Sequence, residues 1–162
     1  MPQDSKGEAR GFSSSKLSVL RKHPYFADLE PDAFEQLCRY AKHSTLKRGT
    51  PIFAKGDPPT SLFAVISGTV KISISSPDGR NAILNLIGPG EIFGEMALLD
   101  QGVRSASVIA IEDGTTVYGI SSDDFLDLCK TDTAIGYIMM RNMALDLSFK
   151  LRHQNLDPSA GL

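Results

Sequence analysis

The sequence predicts a mainly β protein: an antiparallel β jelly roll, or double-stranded β-helix, with N-terminal helices and one long C-terminal helix. Three observations predict it. Between Thr45 and Ser121, short apolar pieces are separated by turn signals: Lys55-Gly56-Asp57-Pro58, Ser67-Gly68, Pro77-Asp78-Gly79, Gly88-Pro89-Gly90 and Glu112-Asp113-Gly114. On both sides of this region the apolar period becomes helical. The chain has 162 residues, 41% hydrophobic and 22% charged, which suits one domain with one real core.

Each element follows in order. The opening MPQDSKGEARGFSSSK is polar and lacks the apolar centre of a signal peptide. Residues 1–15 therefore read as a disordered tail. KLSVLRKHPYF suggests a short helix stopped near Pro24. EPDAFEQLCRYAK starts a second, with Pro31 at a favoured first-turn position and Phe34, Leu37, Cys38 and Ala41 on one face. The strands follow, ending with two in SASVIAIEDGTTVYGIS around Glu112-Asp113-Gly114.

Helix returns at Ser121, which with Asp124 makes a capping box ahead of Phe125, Leu126 and Leu128. After Thr131-Asp132, another N-cap signal, a long helix runs to about Asn155. It carries two apolar stripes. Ile135, Ile138, Met139, Asn142, Leu145 and Phe149 form one, expected to dock on the domain. Met140, Ala144, Leu147 and Leu151 form the other, at coiled-coil spacing, and suit a partner helix in a homodimer. The expected division is a tail (1–15), a jelly-roll domain (16–130), a lid and dimerisation helix (131–156) and a second tail (157–162).

Several classes are disfavoured. A net charge of −2 does not indicate a strongly basic, nucleic-acid-binding body. Cys38 and Cys129 stand apart at apolar helical positions, as reduced core thiols of a cytoplasmic protein would, and two are too few for an iron–sulfur cluster. His23, His43 and His153 are scattered, so no metal is expected. No apolar run reaches the length of a membrane span.

The stretch FGEMALLDQGVRSASV, residues 93–108, carries the chemistry. It is small and apolar, yet it holds Glu95 and Arg104. Gly94 opens a short helical pattern where backbone can approach a ligand, and first-turn N–H groups attract anions. Ala97 keeps the approach open. The planar fork of Arg104 suits two oxygens of a phosphate or carboxylate, and Ser105 can donate its hydroxyl. A carboxylate beside an anion is repelled, unless the ligand also carries a hydroxyl for Glu95 to accept. Phosphate plus sugar hydroxyl means nucleotide. One arginine without a Lys-rich phosphate loop means a singly charged phosphate. The competing reading is a buried Glu95–Arg104 salt bridge with no ligand.

GEIFGEMALLDQGVRSASV resembles the phosphate-binding cassette of the cyclic nucleotide-binding domain family, which includes bacterial catabolite activator proteins and the regulatory subunits of cyclic-AMP-dependent kinase. RGTPIFAKGD, SLFAVISGTVKI and DGRNAILNLIGPGE also resemble that family's strands and glycines, so the likeness runs from about Leu17 to Asn155. It implies that Glu95 accepts the ribose 2′-hydroxyl and Arg104 binds the cyclic phosphate. It implies that Gly94, Ala97 and Ser105 line the phosphate, with Phe93, Met96 and Ala106 completing the cassette. Leu84 and Asn85 would lie near base or sugar, and Ser148, Phe149 and Lys150 roughly where base contacts belong. The long helix would close over the base and, in bacterial members, dimerise. Val103 replaces the proline often found before the arginine.

The expected function is thus a sensor that binds a cyclic nucleotide, cyclic AMP ahead of cyclic GMP, and transmits binding through its last helix. A second reading is the effector half of a transcription regulator without its helix-turn-helix, so no DNA binding is expected of this chain alone. A third is a ligand-free interaction scaffold. An enzyme is not expected, since no nucleophile–base pair or metal set accompanies the phosphate holder. Because the cassette is a loop on a barrel, Arg104→Ala is expected to spare the fold.

Overall fold

The computed structural model describes residues 14–75, 78–100 and 102–155. The side chains of residues 14–17, 81, 84, 96, 97, 100, 154 and 155 lie outside that description, as do both expected tails apart from residues 14 and 15.

Two helices come first, α1 (Ser14–Arg21) and α2 (Pro31–Cys38), with a 3-10 turn at Pro24–Phe26 between them. Eight strands follow: β1 (Lys42–Leu46), β2 (Pro51–Phe53), β3 (Ser61–Ser67), β4 (Val70–Ser75), β5 (Asn81–Ile87), β6 (Ile92–Phe93), β7 (Ser107–Ala110) and β8 (Thr115–Ser121). Between β6 and β7 lies a short helix, α3 (Glu95–Asp100), and the chain continues into α4 (Ser122–Thr131) and α5 (Thr133–Asn155). The strands make two antiparallel four-stranded sheets, ordered β1-β8-β3-β6 and β2-β7-β4-β5. This is the expected jelly roll with flanking helices.

Strand alternation explains why the middle of the first sheet, β3 and β8, is buried on both faces. Val65 and Val117 point inward, where they join Val70, Ile87, Phe93 and Val108 between the sheets. Their neighbours Leu62, Ala64, Ile66, Tyr118 and Ile120 point the other way and meet Phe26, Phe34, Leu37, Phe125 and Met139 of the helical layer. One sheet thus serves two cores, and the helices have an apolar surface on which to dock.

The helix starts follow local chemistry. The Ser121 hydroxyl accepts from the Asp124 N–H at 3.0 Å, as the capping box predicts. Asp132 Oδ1 accepts from the Ile135 N–H at 3.2 Å and starts α5. Gly136 lets α5 cross α4 closely, since a Cβ there would stand 2.6 Å from the Cys129 carbonyl oxygen. Cys38 is buried and Cys129 half-buried, both as free thiols, and burial pushes Cys38 up to about 12.

The docking stripe of α5 differs from the expected one. Ile135, Gly136, Met139, Asn142 and Met143 are the buried residues among those described in α5, and Leu145 and Phe149 are exposed. The reason is the extent of the surface beneath. The middle of α5 packs on the 3-10 turn, where Asn142 Nδ2 donates to the carbonyls of Tyr25 and Ala27 at 2.9 and 2.8 Å. From Ser148 to His153 every residue is exposed.

Candidate functional site

The cassette begins where β6 ends. Gly94 has φ +85°, and a Cβ there would stand 2.8 Å from Arg104 Nη1. Both facts require glycine, one for the backbone and one for the approach of the arginine. Glu95 then starts α3, and the chain returns through Val103 and Arg104 to β7.

Arg104 is held at its main chain by the loop after β2. The Gly56 N–H donates to the Arg104 carbonyl and the Arg104 N–H to the Asp57 carbonyl, both at 2.8 Å. One residue group further on, the Lys55 N–H donates to Ser107 Oγ at 3.0 Å. The KGD turn, 47 to 49 positions before Arg104 in sequence, is therefore what fixes the arginine's starting point.

The Arg104 side chain is only 3% exposed. Nη1 donates to the Gly94 carbonyl at 3.0 Å and Nη2 to the Ser61 carbonyl at 2.6 Å. The guanidinium lies over the Phe53 ring, 4.1 Å from its centroid, with Phe63 at 5.9 Å. Nε has no hydrogen-bond partner among the described protein atoms. Burial pulls this group below its ordinary pKa, opposed by the negative charge of Asp57, yet an arginine starts high enough to stay charged. Among the described residues no carboxylate lies within 4.0 Å of it.

Glu95 faces elsewhere. Its side chain is 15% exposed and meets Lys150 Nζ of α5 at 3.9 Å. Lys150 also meets Asp146 Oδ2 at 2.9 Å, and the Tyr25 hydroxyl donates to that same oxygen at 3.1 Å. Burial, with the charges of Glu95 and Asp146, drives the Tyr25 phenol upward, so it stays protonated and donating. The Glu95–Arg104 salt bridge considered above is thereby corrected. Carbonyls and a ring satisfy most of the arginine, and a lysine of the last helix meets the glutamate.

Both charged groups open onto one cavity of about 340 Å³, within the range of small-molecule sites. Of the residues the sequence singled out, Asn85, Phe93, Gly94, Glu95, Arg104, Ser105, Ala106 and Lys150 line it. The side chains of Leu84, Met96 and Ala97 lie outside the described residues. Ser148 and Phe149 are exposed and are not among the lining.

The floor is what sequence reading missed. Asn85 pairs Ile72, Ile72 pairs Val108 and Val108 pairs Phe53, so one row crosses all four strands of the second sheet beneath the cavity. Strand alternation could have selected Ile72 and Val108, which share β4 and β7 faces with known core positions. Nothing near Phe53 in the chain signals that an arginine will lie on it. The site is thus an apolar floor with a buried cation at one wall and a carboxylate at another. A second, smaller cavity of about 50 Å³ between helices and sheet is lined by core residues such as Leu20, Phe34, Leu62 and Met139, and offers no charge. Among the described residues no group of three His, Cys, Asp or Glu could hold a metal, and no helix is long and apolar enough to cross a membrane.

Residues 43–132, more than half of the chain, match the model of the cyclic nucleotide-binding domain. The chain belongs to that family. The cyclic AMP receptor protein of Thermus thermophilus is 35% identical over 138 residues, covering 85% of this chain and 62% of that protein. A CRP-like cAMP-activated global transcriptional regulator of Mycobacterium tuberculosis is 36% identical over 105 residues, covering 65% and 46%. The N-terminal domain of a transcriptional regulator from Streptomyces coelicolor superposes with a TM-score of 0.76 at 32% identity, covering 89% of this chain and 99% of that one. This cyclic nucleotide-binding domain therefore spans about half to three-fifths of the curated relatives it matches. It is a binding domain of the kind found in such regulators.

Proposed function

We propose that this domain binds cyclic AMP in the cavity between Glu95 and Arg104 and signals binding through α5. One observation carries the reading: Arg104 is a buried cation that, among the described residues, makes no ion pair within 4.0 Å, has an unpartnered Nε, and lines a ligand-sized cavity. A protein keeps a charge in such a place when something of opposite charge comes to it. The phosphate of a cyclic nucleotide carries one negative charge, and its ribose hydroxyl suits Glu95. Ser105 is exposed at the cavity edge as a further donor, and the row through Ile72 and Phe53 offers an apolar bed. The names of the two relatives above favour adenine as the base, and Ser105 leaves cyclic GMP as the second candidate.

The output is a movement of α5 and contact with a second copy through Met140, Ala144, Leu147 and Leu151. Ala144 and Leu151 are exposed and the other two half-buried, so the stripe is in part available. Transcription control by a longer chain that includes a DNA-binding part is the whole-protein reading, supported by the relatives' names and by the share of their length matched here.

Calorimetric titration with cyclic AMP and cyclic GMP tests the site. Arg104→Lys keeps the charge but loses the fork, and Arg104→Ala loses both. The alanine variant is expected to bind roughly 10- to 150-fold more weakly, the loss of one charge-assisted hydrogen-bonded contact. Because Arg104 donates to two buried carbonyls, this variant also costs stability, contrary to what a surface loop implied, and its melting curve has to accompany the titration. Wild-type affinity in a folded Arg104→Ala protein would refute the assignment.

A further inference from the structure

We infer that Phe53 is a positioning residue for the anion site: its ring holds the Arg104 fork in place while leaving the fork's donors to the ligand. This rests on the cyclic nucleotide reading and deepens it. The Arg104 guanidinium lies over the Phe53 ring, 4.1 Å from its centroid. A ring face attracts a cation through its quadrupole and takes no N–H donor. A carboxylate in its place would bond to the fork and cancel the charge that draws a phosphate. Among the described residues no carboxylate lies within 4.0 Å of Arg104.

Hydrogen bonds alone do not fix the fork. It carries five N–H donors, and the described bonds use two, from Nη1 to the Gly94 carbonyl and from Nη2 to the Ser61 carbonyl. Both bonds sit at the outer nitrogens, and Nε has no partner among the described protein atoms. The guanidinium plane is therefore free to tip about the line through its two bonds. The ring against its face is what stops the tipping.

Phe53 is itself aimed and held. Pro51 pairs Ile109 and Phe53 pairs Val108, so β2 uses two residues where β7 uses one. Such a bulge re-aims the side chains beside it. Phe53 thereby lines the same cavity as Arg104. Phe63 and Phe93 stack on each other at 5.3 Å with 15° between their planes, and their centroids lie 6.0 and 6.1 Å from that of Phe53. This aromatic packing limits where the Phe53 ring can go. The chain then runs directly into the KGD turn that bonds to the Arg104 main chain, and Asp57 Oδ2 accepts from the Ala54 N–H at 2.9 Å within that turn. Residues 53–57 thus grip Arg104 twice, by a ring at its guanidinium and by backbone at its main chain.

The test uses the full chain as wild type, Phe53→Leu and Phe53→Tyr. Leucine keeps apolar bulk and loses the ring face, whereas tyrosine keeps the face. The order parameter of the Arg104 Nε–H group, from NMR relaxation without any nucleotide, reads positioning. It is expected to stay in the rigid range in wild type and Phe53→Tyr and to fall below about 0.6 in Phe53→Leu. Unchanged order in Phe53→Leu overturns the positioning role. Calorimetric titration with cyclic AMP and cyclic GMP reads the consequence. A loosened fork has to be ordered on binding, so Phe53→Leu is expected to bind about 3- to 10-fold more weakly, with Phe53→Tyr close to wild type. Unchanged affinity in Phe53→Leu overturns the role in binding. Weaker affinity with unchanged order overturns it too, by making Phe53 a ligand contact. If the melting curve shows that Phe53→Leu does not fold, Phe53→Met takes its place, because its flexible side chain fills irregular gaps. If the wild type binds neither cyclic nucleotide, the cyclic nucleotide reading falls, and the order parameters still decide whether Phe53 holds the arginine.

Discussion

The two halves of α5 live in different surroundings. From Ile135 to Met143 the helix buries Ile135, Met139, Asn142 and Met143, and Asn142 satisfies two carbonyls of the 3-10 turn. From Leu145 onward it exposes Leu145, Phe149 and Leu151, and its charged ties to the body are Asp146 and Lys150. Composition already separates the halves in part, since Ile135–Met143 has Arg141 as its one charged residue and the later half has Asp146, Lys150 and Arg152. The exposure of Leu145, Phe149 and Leu151 is what composition does not explain, and it reflects whether a surface lies underneath. A helix anchored by packing at one end and by weak, half-exposed ion pairs at the other opens at the second end first.

The largest expected effect lies in the anchored half. Met139 is fully buried between α4, the 3-10 turn and the first sheet's helix-facing side. Met139→Ala should cost about 2–5 kcal/mol in urea unfolding. A loss below 1 kcal/mol, roughly that of an ordinary surface change, would mean this half is not anchored by packing. Next comes Asn142→Ala, which leaves the Tyr25 and Ala27 carbonyls without their donor and should cost about 1–3 kcal/mol. A neutral result would move the anchor onto the apolar residues alone. The smallest effect on the fold belongs to the free half. Leu147→Glu should change stability by about 0.5 kcal/mol or less, while halving the mass seen by light scattering if α5 pairs with a second copy. A large stability loss with unchanged mass would reverse the comparison, making the second half part of the core.

Much of the fold was legible because it rests on local chemistry. The Ser121 cap, the Asp132 cap and the turn glycines act over three or four residues, and strand alternation is a period of two. The cassette was legible for a different reason. Charged residues are rare in a stretch so small and apolar, so Gly94, Glu95 and Arg104 stood out before any geometry was known, with a ligand-free salt bridge as the competing explanation. The 3-10 turn at Pro24–Phe26 was read only as a helix stop, since nothing local says that Asn142, 117 positions away, will bond to its Tyr25 carbonyl.

By itself, then, the sequence determined that the chain makes short strands between helices, where those helices start, and which residues form a polar cassette in an apolar setting. These follow from periods and caps that a few neighbouring residues decide. Tertiary structure alone decided what each charge meets: Arg104 lies on Phe53 and bonds to the Ser61 carbonyl, and Glu95 finds Lys150. It also decided where the docking face of α5 stops. Such partners are chosen by burial and by the path of distant segments, and no local pattern encodes the far side of a contact.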